Sequence, residues 1–108
     1  MDVNIEDYEN INRIYKKIER DGKGKEYDIS SNIILFEGEY SNGKRNGKGK
    51  EYDSYGKLIF EGEYLNGKRN GNGKEYYYSF CLLKFEGKYL NGKKWNGKGY
   101  NKKGENDF

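Results

Sequence analysis

One pentapeptide recurs in this 108-residue chain, and the recurrence limits the fold more than any other feature. Phe36-Glu37-Gly38-Glu39-Tyr40 returns as Phe60-Glu61-Gly62-Glu63-Tyr64 and as Phe85-Glu86-Gly87-Lys88-Tyr89, at spacings of 24 and 25 residues. Each copy runs into an Asn-Gly pair: Asn42-Gly43, Asn66-Gly67 and Asn91-Gly92. A second block follows each time, as Gly47-Lys48-Gly49-Lys50-Glu51-Tyr52, Gly71-Asn72-Gly73-Lys74-Glu75-Tyr76 and the shortened Gly97-Lys98-Gly99-Tyr100. An upstream copy, Gly22-Lys23-Gly24-Lys25-Glu26-Tyr27, extends the array to the left.

Each unit reads as a β-hairpin. Side chains alternate along a strand, so Phe36, Gly38 and Tyr40 share one face and Glu37 and Glu39 the other. Asn-Gly accepts the positive φ of a tight hairpin turn, and the second block returns as the partner strand. Turns such as Asp53-Ser54-Tyr55-Gly56 join the units, with Gly56 suited to the left-handed position. The result is an all-β, elongated, twisted antiparallel meander that advances about 10 Å per repeat. Gly38, Gly62 and Gly87 lie between aromatics of one face, where a missing side chain lets a neighbouring ring lie across the backbone.

Composition agrees with a thin sheet. Leu, Ile, Val and Phe number only 20, whereas there are 12 Tyr and 16 Gly, and Ala and Gln are absent, which counts against a helical bundle. The absence of His removes the usual near-neutral acid–base group and the commonest zinc ligand. The single Cys81 cannot form an internal disulfide and reads as a small half-buried hydrophobe. No apolar run approaches the ~20 residues of a membrane span, and the acidic N-terminus is unlike a signal peptide. These features point to the cytoplasm and to no enzyme, cofactor, metal or small-molecule substrate.

The ends depart from the pattern. Residues 1–21 form a cap, 22–100 the repeat array and 101–108 a frayed, disordered tail. Ile11 to Tyr15 aligns with Phe36 to Tyr40, with Arg13 at the glycine position, and Ile18 stands where Gly43 belongs, so the cap reads as a degenerate hairpin. Ile5, Tyr8, Ile11, Ile14, Tyr15 and Ile18 also approximate one helical face, and the loss of both glycines and both turn signals favours a short helix.

These units resemble MORN repeats (membrane occupation and recognition nexus). Phe60-Glu61-Gly62-Glu63-Tyr64-Leu65-Asn66-Gly67-Lys68-Arg69-Asn70-Gly71-Asn72-Gly73 follows that family's pattern position by position. Lys88 replaces the second Glu and Trp95 reads as an insertion in the last turn. The resemblance implies a single-layer sheet without catalysis of its own, serving as a scaffold or adaptor for protein partners or self-association, near membranes or the cytoskeleton. It also implies a contested capacity for phospholipid binding.

Two sets of residues are candidate contact sites. Phe36, Tyr40, Phe60, Tyr64, Phe85 and Tyr89 form an aromatic stripe that three repeats are too few to cover, so either the N-terminal segment or another chain must cover it, and this face or the sheet edge is expected to meet a partner or a second copy. The turns carry Lys44, Arg45 and Lys48, then Lys68 and Arg69, then Lys93, Lys94, Trp95 and Lys98, a basic ladder suited to anionic lipid. Residues 22–108 hold 17 basic and 12 acidic side chains. That mixture counts against nucleic acid. Glu37, Glu39, Glu61, Glu63 and Glu86 read as cross-strand partners of lysines, not as acid–base or calcium groups. An aromatic carbohydrate-binding array is a third reading, weakened by the single tryptophan.

Overall fold

The computed structural model describes residues 5–9, 13–77 and 82–106, with only the backbone for 5–9. Among these, the strands are β1 (Ile5–Glu9), β2 (Ile14–Ile18), β3 (Lys23–Asp28), β4 (Ile34–Ser41), β5 (Lys44–Tyr52), β6 (Leu58–Leu65), β7 (Lys68–Tyr77), β8 (Leu82–Leu90) and β9 (Lys93–Gly99). They form one antiparallel sheet in chain order. Its extents are 49 × 27 × 25 Å, as a single twisted layer requires.

The hairpins β4–β5, β6–β7 and β8–β9 turn on the Asn-Gly pairs. Asn42, Asn66 and Asn91 have φ of 53°, 50° and 51°, and the glycines after them are also positive, which is the twist-matched hairpin turn. Gly56 takes φ 82° in the turn that joins the first two units. Turns of successive units also stack: the Asn66 N–H donates to Asn46 Oδ1 at 3.2 Å and the Gly67 N–H to the Arg45 carbonyl at 2.8 Å. Asn91 and Gly92 repeat both bonds on Asn70 and Arg69.

The register shifts once in each hairpin beyond the turn. Opposite Glu39, β5 spends three residues, Asn46-Gly47-Lys48, and Gly47 has φ 104°. The Glu39 carboxylate closes this bulge by accepting the Lys48 N–H at 2.6 Å, and Glu63 does the same for Asn72 at 2.7 Å. In β9 only Trp95 and Asn96 separate Lys94 from Gly97, which pairs with Gly87. The last unit is therefore one residue shorter here, and Trp95 is no insertion. Lys88 stands where the bulge-closing Glu would be, in the one hairpin whose bulge is reduced.

The N-terminal segment is a hairpin, so the helix expected there is corrected. β1 and β2 pair from Ile5↔Ile18 to Glu9↔Ile14, and β2 continues onto β3. Isoleucine and tyrosine favour extended backbone, and β2 covers what would otherwise be the bare edge of β3. Ile18 pairs with Gly24, the place held by Gly38 on the other side, and is buried in the core. Lys16, not Ile11, thus stands at the Phe36 position, five residues from the expected alignment; Ile11 and Cys81 lie outside the described residues.

The expected frayed tail is also corrected over residues 101–106. Asn101 accepts the N–H groups of Lys103 and Glu105 on Oδ1, as Asp53 accepts those of Tyr55 and Lys57. The two turns are alike, and Asn106 then bridges back to Tyr100.

Candidate functional site

One side of the sheet is closed by its own side chains. A glycine from each strand, from Gly24 on β3 to Gly97 on β9, lines up across the sheet. A Cβ on Gly73 would come within 2.8 Å of the Phe60 ring and 2.9 Å of Tyr89, so the rings occupy the space that glycine leaves. Phe36, Tyr64, Phe60 and Tyr89 meet edge to face, at centroid distances of 5.1 and 5.2 Å across units. Each such pair contributes about 0.5–1.5 kcal/mol beyond its buried area.

The rings are roofed by cations. Arg45 lies 4.0 Å from the Phe36 centroid, Arg69 3.9 Å from Phe60 and Lys94 4.8 Å from Phe85. Each cation grips a strand glutamate. Arg45 donates twice to Glu26, both at 2.9 Å, and Arg69 donates twice to Glu51 at 2.9 and 3.1 Å. Lys94 makes a single 2.8 Å contact with Glu75. Tyr40 and Tyr64 donate their hydroxyls to Glu26 and Glu51. Burial alone would raise the pKa of Glu26, Glu51 and Glu75, but the hydrogen bonds and charges of their cations bring each below the usual value.

Two expectations are corrected by this arrangement. Phe36, Tyr40, Phe60, Tyr64, Phe85 and Tyr89 are no open face: Phe36 and Phe60 are at 0% exposure and Tyr40, the most exposed, at 7%. The cover comes from Arg45, Arg69 and Lys94, which fold back over the rings and so do not project from the turns. A sugar-binding array also needs open ring faces, and this stripe offers none.

The other side is a groove of about 980 Å³. Its floor is the backbone of the glycine row and its walls are the residues flanking each glycine. Glu37 pairs with Lys25 and Lys50, and Glu61 with Lys50 and Lys74, so charge alternates strand by strand along one wall. On the other wall Lys23 faces Glu39 and Lys48 faces Glu63. The expected cross-strand Glu–Lys pairing is thus present in the register, and Lys74 and Glu86 also close to 3.7 Å. Tyr52 and Tyr76 donate to Glu37 and Glu61, each at 2.6 Å. Burial, then the hydrogen bond and charge of Glu37, push Tyr52 up to about 12. The signal for this groove was in the sequence, because the central glycines repeat in step with flanking charges.

Residues 36–57 and 60–81 each match the family model of the MORN repeat. These two segments are MORN repeats. The chain matches no curated protein. Among the described residues, no helix is long and apolar enough to cross a membrane.

Within the MORN array the remaining basic residues divide by position. Lys44, Lys68 and Lys93 stay exposed beside the Asn-Gly turns, opposite Ser41, Leu65 and Leu90. Lys48 lies on the groove wall, and Lys98 on β9 faces Glu86 on β8. Trp95 is 61% exposed next to Leu90, itself 53% exposed.

Proposed function

We propose that this chain is a non-enzymatic scaffold whose MORN sheet holds a protein partner, or a second copy of itself, in the glycine-floored groove. One observation carries the reading. The aromatic side is covered by Arg45, Arg69 and Lys94, and the groove is a large concave surface among the described residues. Its walls offer both signs in alternation, which suits a polypeptide segment of mixed charge laid across the strands. The setting proposed is the cytoplasm, beside membranes or cytoskeletal structures.

The test is carboxylate–amine cross-linking of immobilised protein with native lysate, read by mass spectrometry. Cross-links should fall on Glu37, Glu61, Lys50 and Lys74, and capture should fail for Glu37→Lys combined with Glu61→Lys. Cross-links scattered over the turns, with capture unchanged in the variant, would overturn the reading. Sedimentation of the protein alone separates self-association from a foreign partner.

A second reading, peripheral binding to anionic phospholipid, is favoured by the exposed edge of Lys44, Lys68 and Lys93 with Leu65, Leu90 and Trp95. Co-sedimentation with anionic vesicles at low salt tests it. Reversing those three lysines to Glu should abolish the signal, whereas Arg45 and Arg69 belong to the folded interior and are unsuitable targets.

A further inference from the structure

We infer that Asn42 is a site of spontaneous covalent modification, where the Gly43 nitrogen converts the side-chain amide to aspartate or isoaspartate. The site is independent of the groove. The Gly43 nitrogen attacks Asn42 Cγ and a C–N bond forms, while the side-chain nitrogen leaves as ammonia and takes the proton that Gly43 gives up. Water then opens the five-membered imide at either carbonyl. A glycine in second place puts no side chain in the way, but its nitrogen must still reach Cγ and let go of its hydrogen-bond partner.

The structure separates the Asn-Gly pairs on this requirement. Asn46-Gly47, Asn70-Gly71, Asn72-Gly73 and Asn96-Gly97 lie inside β5, β7 and β9, where strand pairing resists the backbone rotation that closes the ring. The other three form the hairpin turns. Two of these are clamped on the unit before: the Gly67 and Gly92 N–H groups each donate to an arginine carbonyl at 2.8 Å. The Asn66 and Asn91 N–H groups donate to Asn46 and Asn70 at 3.2 and 3.1 Å.

The first turn is held differently. The Tyr40 N–H donates to the Gly22 carbonyl, so Asp21 and Arg20 stand beneath this turn where Asn46 and Arg45 stand beneath the next. There the chain bends back, with the Gly22 N–H on the Glu19 carbonyl at 3.0 Å and Asp21 Oδ1 accepting the Lys23 N–H at 3.0 Å. What the first turn receives is a cation: Lys16 Nζ donates to the Gly43 carbonyl at 3.2 Å. An ammonium so close to the attacking nitrogen favours the negative charge that nitrogen must carry. Asn42 is itself exposed, so water reaches the imide.

The two products differ in consequence. Aspartate suits the same hairpin turn, and it sets a carboxylate beside Lys44 in the basic turn row. Isoaspartate adds a backbone carbon to the turn and displaces the Ser41↔Lys44 pairing.

The full chain is incubated at mildly alkaline pH, with and without urea. Peptide mapping by mass spectrometry that separates aspartate from isoaspartate follows each asparagine. In the folded protein Asn42 is expected to convert at least about tenfold faster than Asn66 and Asn91, whose two hydrogen bonds must open first. In urea the three should converge, because each is an Asn-Gly-Lys behind Ser41, Leu65 or Leu90. Lys16→Met should slow Asn42 about two- to fivefold, and Lys16→Arg should keep the parent rate. Asn46→Ala should quicken Asn66 and leave Asn42 as it is. Equal rates at the three turns of the folded protein would overturn the proposal. So would conversion of any strand asparagine ahead of Asn42, or the same order persisting in urea. An unchanged rate in Lys16→Met would overturn the part given to Lys16.

Discussion

The guanidinium carbon of Arg45 lies 4.0 Å above the centre of the Phe36 ring. The same side chain is forked onto Glu26 and comes within 3.9 Å of Glu51. Arg69 bridges Glu51 and, at 3.6 Å, Glu75 in the next unit. A file of alternating acids and cations therefore runs above the aromatic stripe and ties each unit to the next.

Removing a central member should be costly. Arg69→Ala leaves Glu51 half-buried without its fork and uncovers Phe60, and a loss of about 2–4 kcal/mol is expected in urea unfolding. Arg69→Lys should recover only part, because an ammonium cannot make the paired contact. Full recovery by lysine would show that charge alone suffices.

Glycines that look alike in sequence should respond differently. Gly73→Ala drives a methyl into Phe60 and Tyr89, at an expected cost of about 1–3 kcal/mol. Gly67→Ala meets no atom but must hold φ 88°, so it costs about 1 kcal/mol, and Gly67→Asn should cost less. Matched unfolding midpoints for Gly67→Ala and Gly67→Asn would remove the backbone argument.

The fold should weaken in acid and in alkali. Glu26, Glu51 and Glu75 are lowered in the folded state, so their contribution is complete above the unfolded value, about 4.3, and is lost as pH falls through the folded values. Tyr40, Tyr64 and Tyr89 are raised, chiefly by burial and then by the glutamates beside them. Their contribution is complete below the unfolded value, about 10, and declines as pH rises towards the folded ones. Denaturant midpoints across pH should form a plateau between these limits. Near-UV absorbance should show part of the 12 tyrosines ionising only on unfolding.

Glu63 and Lys88 occupy matching strand positions and should behave oppositely. Glu63→Ala releases the Asn72 N–H from its carboxylate, so amide exchange there should quicken and stability fall by about 1–2 kcal/mol. Lys88→Glu faces the shorter connection and should leave exchange at Asn96 unchanged. Protection gained at Asn96 would show that the shorter connection can also be closed.

Much of this fold was legible because period-2 alternation and Asn-Gly turns recur in phase. Phe36, Gly38 and Tyr40 announce one face, and the rings do lie across the glycines. The first hairpin was harder, since Ile14, Tyr15 and Ile18 fall at helical spacing, Lys16 breaks the alternation, and Arg13 turns the chain at φ 52° without a glycine. The inward course of Arg45 was hidden for another reason: a basic residue beside a turn ordinarily faces water. Alternation held the clue, because Glu51 falls two residues after Gly49 and so on the ring side, where an acid needs a cation. Trp95 misled through ambiguity. Gly97 and Gly99 both fit a Gly-x-Gly strand, and only pairing with Gly87 decides which one joins the row.

Strand order follows chain order from β1 to β9. Most all-β domains fold slowly because paired strands are distant in sequence and the intervening loops must be closed first. Here every partner is the next segment along, across connections of a few residues. Any Asn-Gly hairpin can serve as the first structured piece, and neighbours then add by zippering in either direction. A sheet built this way starts to assemble as the chain emerges during synthesis, without waiting for a distant partner strand.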